Sequence, residues 1–314
     1  MFNKYRKKKA HCQANGSDVF YFARTMNSIT YSFMKFLPKN AVSRAFGAFS
    51  RAKIPVFSRL FMYWFARHYK INLEEAEIPE DGFANIHELF TRKLKPDARP
   101  IEDNAEVVCP VDGFLTAFGM LTTENPKYIQ AKGKFYSLES LVRCKELAQR
   151  FNGGIWATIY LSPYNYHRIH SPVSGNVVAA YYCPGTLWPV NAGSVERIDG
   201  LFSINERLIT HITTYDGGEA LLVKVGATNV GRIAVDYKKD WFANSMPPPA
   251  SRKAIFTRWE AERTYPYTKG QEIARFEMGS TVILVCNRVI LKRTKELFAE
   301  LEGKKVVMGQ GLMV

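Results

Sequence analysis

Two kinds of hydrophobic spacing divide this chain. Through its first 80 residues, apolar side chains recur at helical intervals among single basic residues, as in "VFYFARTMNSITYSFMKFL" (Val19–Leu37) and "IPVFSRLFMYWF" (Ile54–Phe65). Helical spacing returns in "NIHELFTRKL" (Asn85–Leu94) and in "SLESLVRCKELAQRF" (Ser137–Phe151), where Ser137 is a candidate N-cap followed by Glu139. From Val107 onward most segments are short β-branched runs bounded by Gly, Pro or Asn, such as "GGIWATIYLS", "GNVVAAYYCPG", "ALLVKVGATNVGRIAVDY" and "STVILVCNRVILK". A Pro-rich loop, "NSMPPPASRK" (Asn244–Lys253), interrupts the series. The pattern predicts an α+β fold, with N-terminal amphipathic helices over residues 1–80 and a β-rich body of mainly antiparallel sheets over residues 81–314.

Charge sharpens the division. Residues 1–70 hold 14 Lys and Arg against one acid, Asp18, whereas the other 244 residues are balanced at 29 basic and 28 acidic groups. A basic arm of this kind meets nucleic acid or an anionic membrane surface. Phe, Tyr, Trp, Leu and Met interleaved with single Lys or Arg favour helices lying in the headgroup plane, so a membrane is expected and nucleic acid is not. Neither aromatic stretch supplies ~18 uninterrupted apolar residues, which argues against a membrane span. The opening "MFNKYRKKKAHCQANGSD" is followed by polar residues with no small-residue cleavage site, which argues against a signal peptide. Cys12, Cys109, Cys144, Cys183 and Cys286 form no CxxC pair and are odd in number, as expected of thiols in a reducing compartment without a disulfide framework or zinc site.

Candidate chemistry is sparse. In "FEMGSTVILV" (Phe276–Val285), Gly279-Ser280 interrupts a β-branched run; such a glycine marks either a bulge or a place of close backbone approach. Two of the six histidines, His167 and His170, stand together in "YLSPYNYHRIHSP". A metal would need a third ligand. A base would need an orienting carboxylate and a nucleophile, and Asp112 in "CPVDG" and Ser280 are the candidates. Taken singly, a turn, a loop and a bend explain each of them.

"CPVDGFLTAFG" at Cys109 and "SPVSGNVVAAY" at Ser171 share Pro-Val-x-Gly leading into a strand, and "YTKGQEIARFEMGSTVIL" adds a glycine-turn hairpin. These resemble the hairpins of lipoyl- and biotinyl-type β folds, a likeness that carries no function. The ordered combination is more specific. Pro110-Val111-Asp112-Gly113, then Tyr166-His167-Arg168-Ile169-His170-Ser171-Pro172, then Gly279-Ser280-Thr281 resembles the phosphatidylserine decarboxylase family, and "PGTLWPVN", "VGATNVGRI" and "KGQEIARFEMGSTVI" extend the likeness over roughly Leu37–Leu312. The family commonly has Leu where this chain has Met278, a soft apolar exchange. The basic stretch before about Phe20 has no counterpart in it.

The resemblance implies a proenzyme that cuts itself between Gly279 and Ser280 into chains 1–279 and 280–314, which stay associated. Asp112, His170 and Ser280 would form the self-cleavage triad, with His170 as the base. Ser280 would become a pyruvoyl group, the covalent cofactor, without pyridoxal phosphate or metal. That group would form a Schiff base with the amine of phosphatidylserine, His167 would donate the proton after CO2 leaves, and phosphatidylethanolamine would be released. The setting implied is the cytoplasmic side of the cell membrane, peripherally bound. Two other functions fit parts of the pattern: a pyruvoyl decarboxylase of a soluble amino acid, and a non-catalytic membrane-binding β module.

Overall fold

The computed structural model describes residues 26–53, 57–121, 127–131, 134–228, 232–239, 243, 257–277, 281–294 and 299–313. The expected order holds: helices come first and a β-rich, antiparallel body follows.

Three helices open the described chain: Ser28–Phe36, Lys39–Arg51 and Phe57–His68. The first is capped by Asn27, whose Oδ1 accepts from the Thr30 N–H at 2.7 Å. Its two faces have different surroundings. Met34 enters the main core and Tyr31 stacks on Trp188 with ring centroids 5.6 Å apart, while Ile29, Phe33 and Phe36 on the opposite side are exposed. The helix Phe57–His68 packs instead into a smaller cluster: Phe65 and Ala66 meet Ile71, Ala76, Ile86, Leu89 and Phe90, so this cluster runs across residue 80.

The two later helical stretches are shorter than their spacing predicts. Asn85–Leu94 is helical only over Ile86–Phe90, after which Leu94 bridges to Ala76. Ser137 does cap a helix, but that helix ends at Val142 because Arg143 adopts a left-handed conformation (φ 53°), and a second helix, Lys145–Arg150, starts afresh.

The body contains β1 (Val107–Val108), β2 (Gly113–Met120), β3 (Lys127–Ala131), β4 (Lys134–Ser137), β5 (Ile155–Tyr160), β6 (Arg168–His170), β7 (Gly175–Cys183), β8 (Arg207–Thr213), β9 (Glu219–Val225), β10 (Ile233–Val235), β11 (Thr257–Glu260), β12 (Pro266–Tyr267), β13 (Glu272–Phe276), β14 (Thr281–Cys286), β15 (Lys305–Val306) and β16 (Gly311–Met313). A large sheet runs β11-β7-β8-β9-β14-β5-β2-β15, with β12 also on β7. Its central strand, β14, is buried along its whole length and pairs with β9 on one side and β5 on the other. A three-stranded sheet, β10-β13-β6, stands apart from it. In chain order, the last strand of the small sheet, β13, is followed by β14, the central strand of the large one.

The Pro-Val-x-Gly repeat has a structural reason. Gly113 and Gly175 each open a long strand, and a Cβ on either would lie 2.4 Å from a backbone carbonyl of the facing chain, Tyr160 and Thr213 respectively. Only glycine permits that approach.

Candidate active site

Two backbone hydrogen bonds join the two copies of the repeat. The Val108 N–H donates to the Pro172 carbonyl (3.0 Å) and the His170 N–H donates to the Pro110 carbonyl (2.8 Å). The Asp-Gly turn and the His-x-x-His segment are thereby fixed side by side although they lie far apart in sequence.

Asp112 is buried, and its carboxylate is fully engaged. Arg99 donates from Nε to Oδ1 (3.0 Å) and from Nη2 to Oδ2 (2.6 Å), and the Met308 N–H donates to Oδ1 (2.9 Å). Arg99 Nη2 also reaches Glu75 Oε2 at 2.8 Å. Hydrogen bonding to Asp112, with Glu75 adding to it, raises the Arg99 pKa and keeps the guanidinium charged. Nothing in the local sequence "KPDARP" marks Arg99 for this position.

His170 is held by a different pair of groups. Its Nδ1 lies 2.8 Å from the Gly270 carbonyl and its Nε2 lies 3.1 Å from the Tyr166 hydroxyl. A carbonyl only accepts, so Nδ1 carries the proton and Nε2 accepts from the Tyr166 O–H. Burial lowers the His170 pKa, which keeps the ring neutral; Asp112 opposes this only weakly, through space. No hydrogen bond joins Asp112 to His170 among the described residues.

His167 is fully buried. Its Nδ1–H donates to the Asn165 carbonyl (2.7 Å), the Phe90 ring packs on it with centroids 4.0 Å apart, and its Nε2 has no hydrogen-bond partner among the described residues. Burial, reinforced by the nearby Arg92 charge, pushes its pKa down to about 3. A neutral imidazole with an open Nε2 lone pair can take a proton and return it.

The register of β6 on β13 orders the histidines relative to the Gly279-Ser280 segment. His170 lies opposite Glu272 and Arg168 opposite Arg275, and the Phe276 N–H donates to the His167 carbonyl (3.0 Å). His167 thus stands at the end of β13 that leads to Gly279 and Ser280, and His170 at the far end. Beyond that segment, Thr281 is paired with Tyr160 and Val225, and its buried Oγ1 has no partner among the described residues. Met278, Gly279 and Ser280 themselves lie outside the described residues. His167 Nε2 and Thr281 Oγ1 are thus two buried polar atoms left open, among the described residues, on the chain segments before and after them.

The body is an antiparallel α+β fold with a buried, neutral histidine at the end of the strand that precedes Gly279-Ser280 in the chain. The family model for phosphatidylserine decarboxylase matches residues 86–314. A phosphatidylserine decarboxylase proenzyme of Anaeromyxobacter sp. strain K is 45% identical over 257 residues, covering 81% of this chain and 88% of that relative. Those of Myxococcus xanthus and Brevibacillus brevis are each 40% identical, covering 83% and 88% of this chain and 90% and 94% of their own lengths. The chain belongs to the phosphatidylserine decarboxylase family.

Proposed function

We propose that this chain is a proenzyme that cuts itself at Gly279-Ser280 and then converts phosphatidylserine to phosphatidylethanolamine and CO2. What carries the reading is the neutral, open His167 at the end of the strand leading to Gly279-Ser280, within a chain whose residues 86–314 match that family.

In the self-cleavage, the Ser280 hydroxyl attacks the Gly279 carbonyl and its proton passes to a base. The amide becomes an ester with a free Ser280 amine. Loss of the Ser280 α-proton expels the Gly279 carboxylate and leaves dehydroalanine, which tautomerises to an imine. Water adds, ammonia leaves and a pyruvoyl group remains. Its ketone supplies the electron sink for decarboxylation of an amino-acid headgroup.

The resemblance gives the base role to His170 with Asp112 and the later proton donation to His167. In the uncut chain both nitrogens of His170 are occupied, and Asp112 is turned to Arg99. This supports His167 Nε2 as the group that moves protons in both steps. Asp112, Arg99, Tyr166 and His170 then act by holding β6 and the Asp-Gly turn in register. Burial keeps the His167 ring neutral, with the Nε2 lone pair unprotonated.

The N-terminal helices suit a peripheral position on the bilayer. No helix among the described residues is long and apolar enough to cross a membrane. Ile29, Phe33 and Phe36 form one exposed stripe, and Leu60, Tyr63 and Trp64 are exposed on the helix Phe57–His68. With 14 basic residues against one acid in residues 1–70, these faces suit the anionic cytoplasmic leaflet.

The test is intact mass analysis of the purified protein combined with an assay of labelled phosphatidylserine. Two chains, the shorter without a free amino terminus, and formation of phosphatidylethanolamine are expected. A single uncut chain, or decarboxylation of free serine in place of the lipid, overturns the reading.

A further inference from the structure

Arg92 is buried, and the groups that accept from it among the described residues are backbone carbonyls. Its Nη1 donates to Leu89 (3.4 Å) and its Nη2 to Tyr164 (3.1 Å) and Asn165 (3.3 Å), while its Nε has no partner among the described residues. The Asn165 carbonyl also accepts from His167 Nδ1 at 2.7 Å. One oxygen thus takes an N–H from each of two side chains, one of them permanently charged. The same stretch of chain makes a second contact, since the Phe90 ring packs on the His167 ring. Arg168 fixes this stretch in turn: its Nε and Nη2 donate to the Thr91 carbonyl at 3.0 and 2.8 Å, and its Nη1 pairs with Glu272.

Binding carbonyls does not by itself call for a charge. Amide or hydroxyl donors would satisfy the same oxygens without taking a cation out of water. Burial lowers the Arg92 pKa; Asp112, Glu75 and Tyr166 oppose this through space, and Arg99 adds to it. Both acids accept from Arg99 Nη2, at 2.6 and 2.8 Å. Two guanidinium groups and two carboxylates therefore balance one another, and Arg92 is the member of the four that reaches the histidine. Its charge is sustained from a distance and acts on His167 at close range.

The effect on the ring has a definite sign. A fixed positive charge beside an imidazole disfavours the imidazolium, and Arg92 adds to burial in lowering the His167 pKa. A proton taken up at Nε2 is therefore readily given away again, which is what a donor to a carbanion needs. The shared carbonyl contributes a second effect. With the Asn165 oxygen held in place, the resting proton stays on Nδ1 and Nε2 remains the open nitrogen.

We propose that Arg92 is a positioning residue for the reaction, acting through His167: it fixes the carbonyl that anchors the ring and places beside it a charge that drives protons off. The inference rests on the reading of His167 as the group that moves protons. Arg92 needs no contact with substrate for this. Asp112 gains a part in it, since its charge helps to keep Arg92 ionised.

The test compares Arg92→Lys, which keeps the charge, with two neutral variants, Arg92→Gln and Arg92→Met, all in the full-length chain. In the uncut Ser280→Ala background, ring nitrogen shifts of labelled histidine report the protonation of His167, assigned by comparison with His167→Asn. At pH 5 the protonated fraction should rise about tenfold in the neutral variants, a shift of about one pH unit, and should change little in Arg92→Lys. With Ser280 present, the matured neutral variants should show kcat lowered about fivefold on phosphatidylserine, with KM within about twofold. Self-cleavage should stay within about twofold, because a ring that holds its proton more tightly is no worse as a base. Arg92→Lys should recover most of the kcat. A merely structural residue would slow both steps together and would leave Arg92→Lys as damaged as Arg92→Gln. That outcome overturns the proposal, as does an unchanged protonated fraction in a folded neutral variant. If neither neutral variant shows a cooperative thermal melt, Arg92 is structural and the proposal falls as well. Normal maturation and turnover of His167→Asn is a different failure: it removes the reading of His167, whatever Arg92 does to the ring.

Discussion

The Phe276 amide donates to the His167 carbonyl at 3.0 Å, which ties the first histidine of the pair to the strand leading to Gly279-Ser280. His170 sits at the other end of the same strand pairing, opposite Glu272. One short β-ladder therefore separates two imidazoles that differ in what their Nε2 atoms can do.

The proposed self-cleavage depends on one oxygen. Ser280→Ala should leave a single chain of 314 residues, inactive on phosphatidylserine, where the wild type should give chains 1–279 and 280–314. Denaturing electrophoresis and intact mass read this directly. A cut and active Ser280→Ala protein would sink the idea.

The histidines should separate in kind as well as degree. His167→Asn retains a donor for the Asn165 carbonyl but has no basic nitrogen, so both maturation and decarboxylation should fall by at least a hundredfold. His170→Asn should slow maturation through misplacement of β6, and any protein that does mature should keep most of its kcat. Time courses of cleavage after translation, followed by assays of the matured fraction, distinguish the two. Normal maturation of His167→Asn together with a complete block in His170→Asn would return the base role to His170.

Acid should destabilise the fold, and the sign follows from burial. His167 is pushed down to about 3 in the folded chain and His170 is also lowered, so between that range and the ordinary histidine pKa the unfolded chain binds more protons. Stability is full above the unfolded value and falls as pH drops from about 7 toward 4. Thermal melts should show this fall, and it should be shallower in His167→Asn. Equal slopes in the two proteins would mean that His167 is not the buried neutral group described.

Asp112 and Arg99 form a pair with little solvent access, their side chains 6% and 14% exposed. Removing either partner leaves a buried charge, so Asp112→Asn or Arg99→Gln should each cost about 3–5 kcal/mol. The double variant should be less damaged than the two losses added together. Denaturant titrations of the four proteins in a Ser280→Ala background measure the coupling without interference from cleavage. Strict additivity would mean that the pair contributes nothing as a pair.

What could be read from sequence followed the range of the interactions involved. The strands were legible because β-branched runs between glycines and prolines specify them locally, and Asp112, His167, His170 and Ser280 stood out as residue types in ordered motifs. The break at Arg143 was not legible, since helical spacing continues across it and only a left-handed backbone angle ends the helix. Arg99 was invisible for another reason. Its role depends on chains converging from separate elements, and an arginine in an exposed-looking segment carries no sign of a buried partner. The Pro-Val-x-Gly echo could be seen, but its meaning, two glycines admitting two backbone carbonyls, needed the facing strands.

The membrane face is where sequence and structure together give the sharpest test. Aromatics of the N-terminal stretches look alike in sequence, yet Phe65 is buried in the smaller cluster while Ile29, Phe33 and Phe36 are 82%, 65% and 84% exposed. Phe65→Ser should therefore lower the melting temperature by removing core packing. Replacing Ile29, Phe33 and Phe36 together with Ser should leave the melt nearly unchanged, because none of the three contributes to the core. If this stripe inserts among headgroups, the triple variant should lose binding to liposomes containing phosphatidylserine, and raising salt should not alter the size of that loss. Arg59, Arg67 and Lys70 replaced by Gln should instead give a partial loss that disappears in high salt, where surface attraction is already screened. Self-cleavage should proceed in both variants, since its residues lie in the β-rich body. Sedimentation with liposomes at low and high salt separates the two contributions. A folded triple variant that sediments as well as the wild type would remove Ile29, Phe33 and Phe36 from the membrane contact.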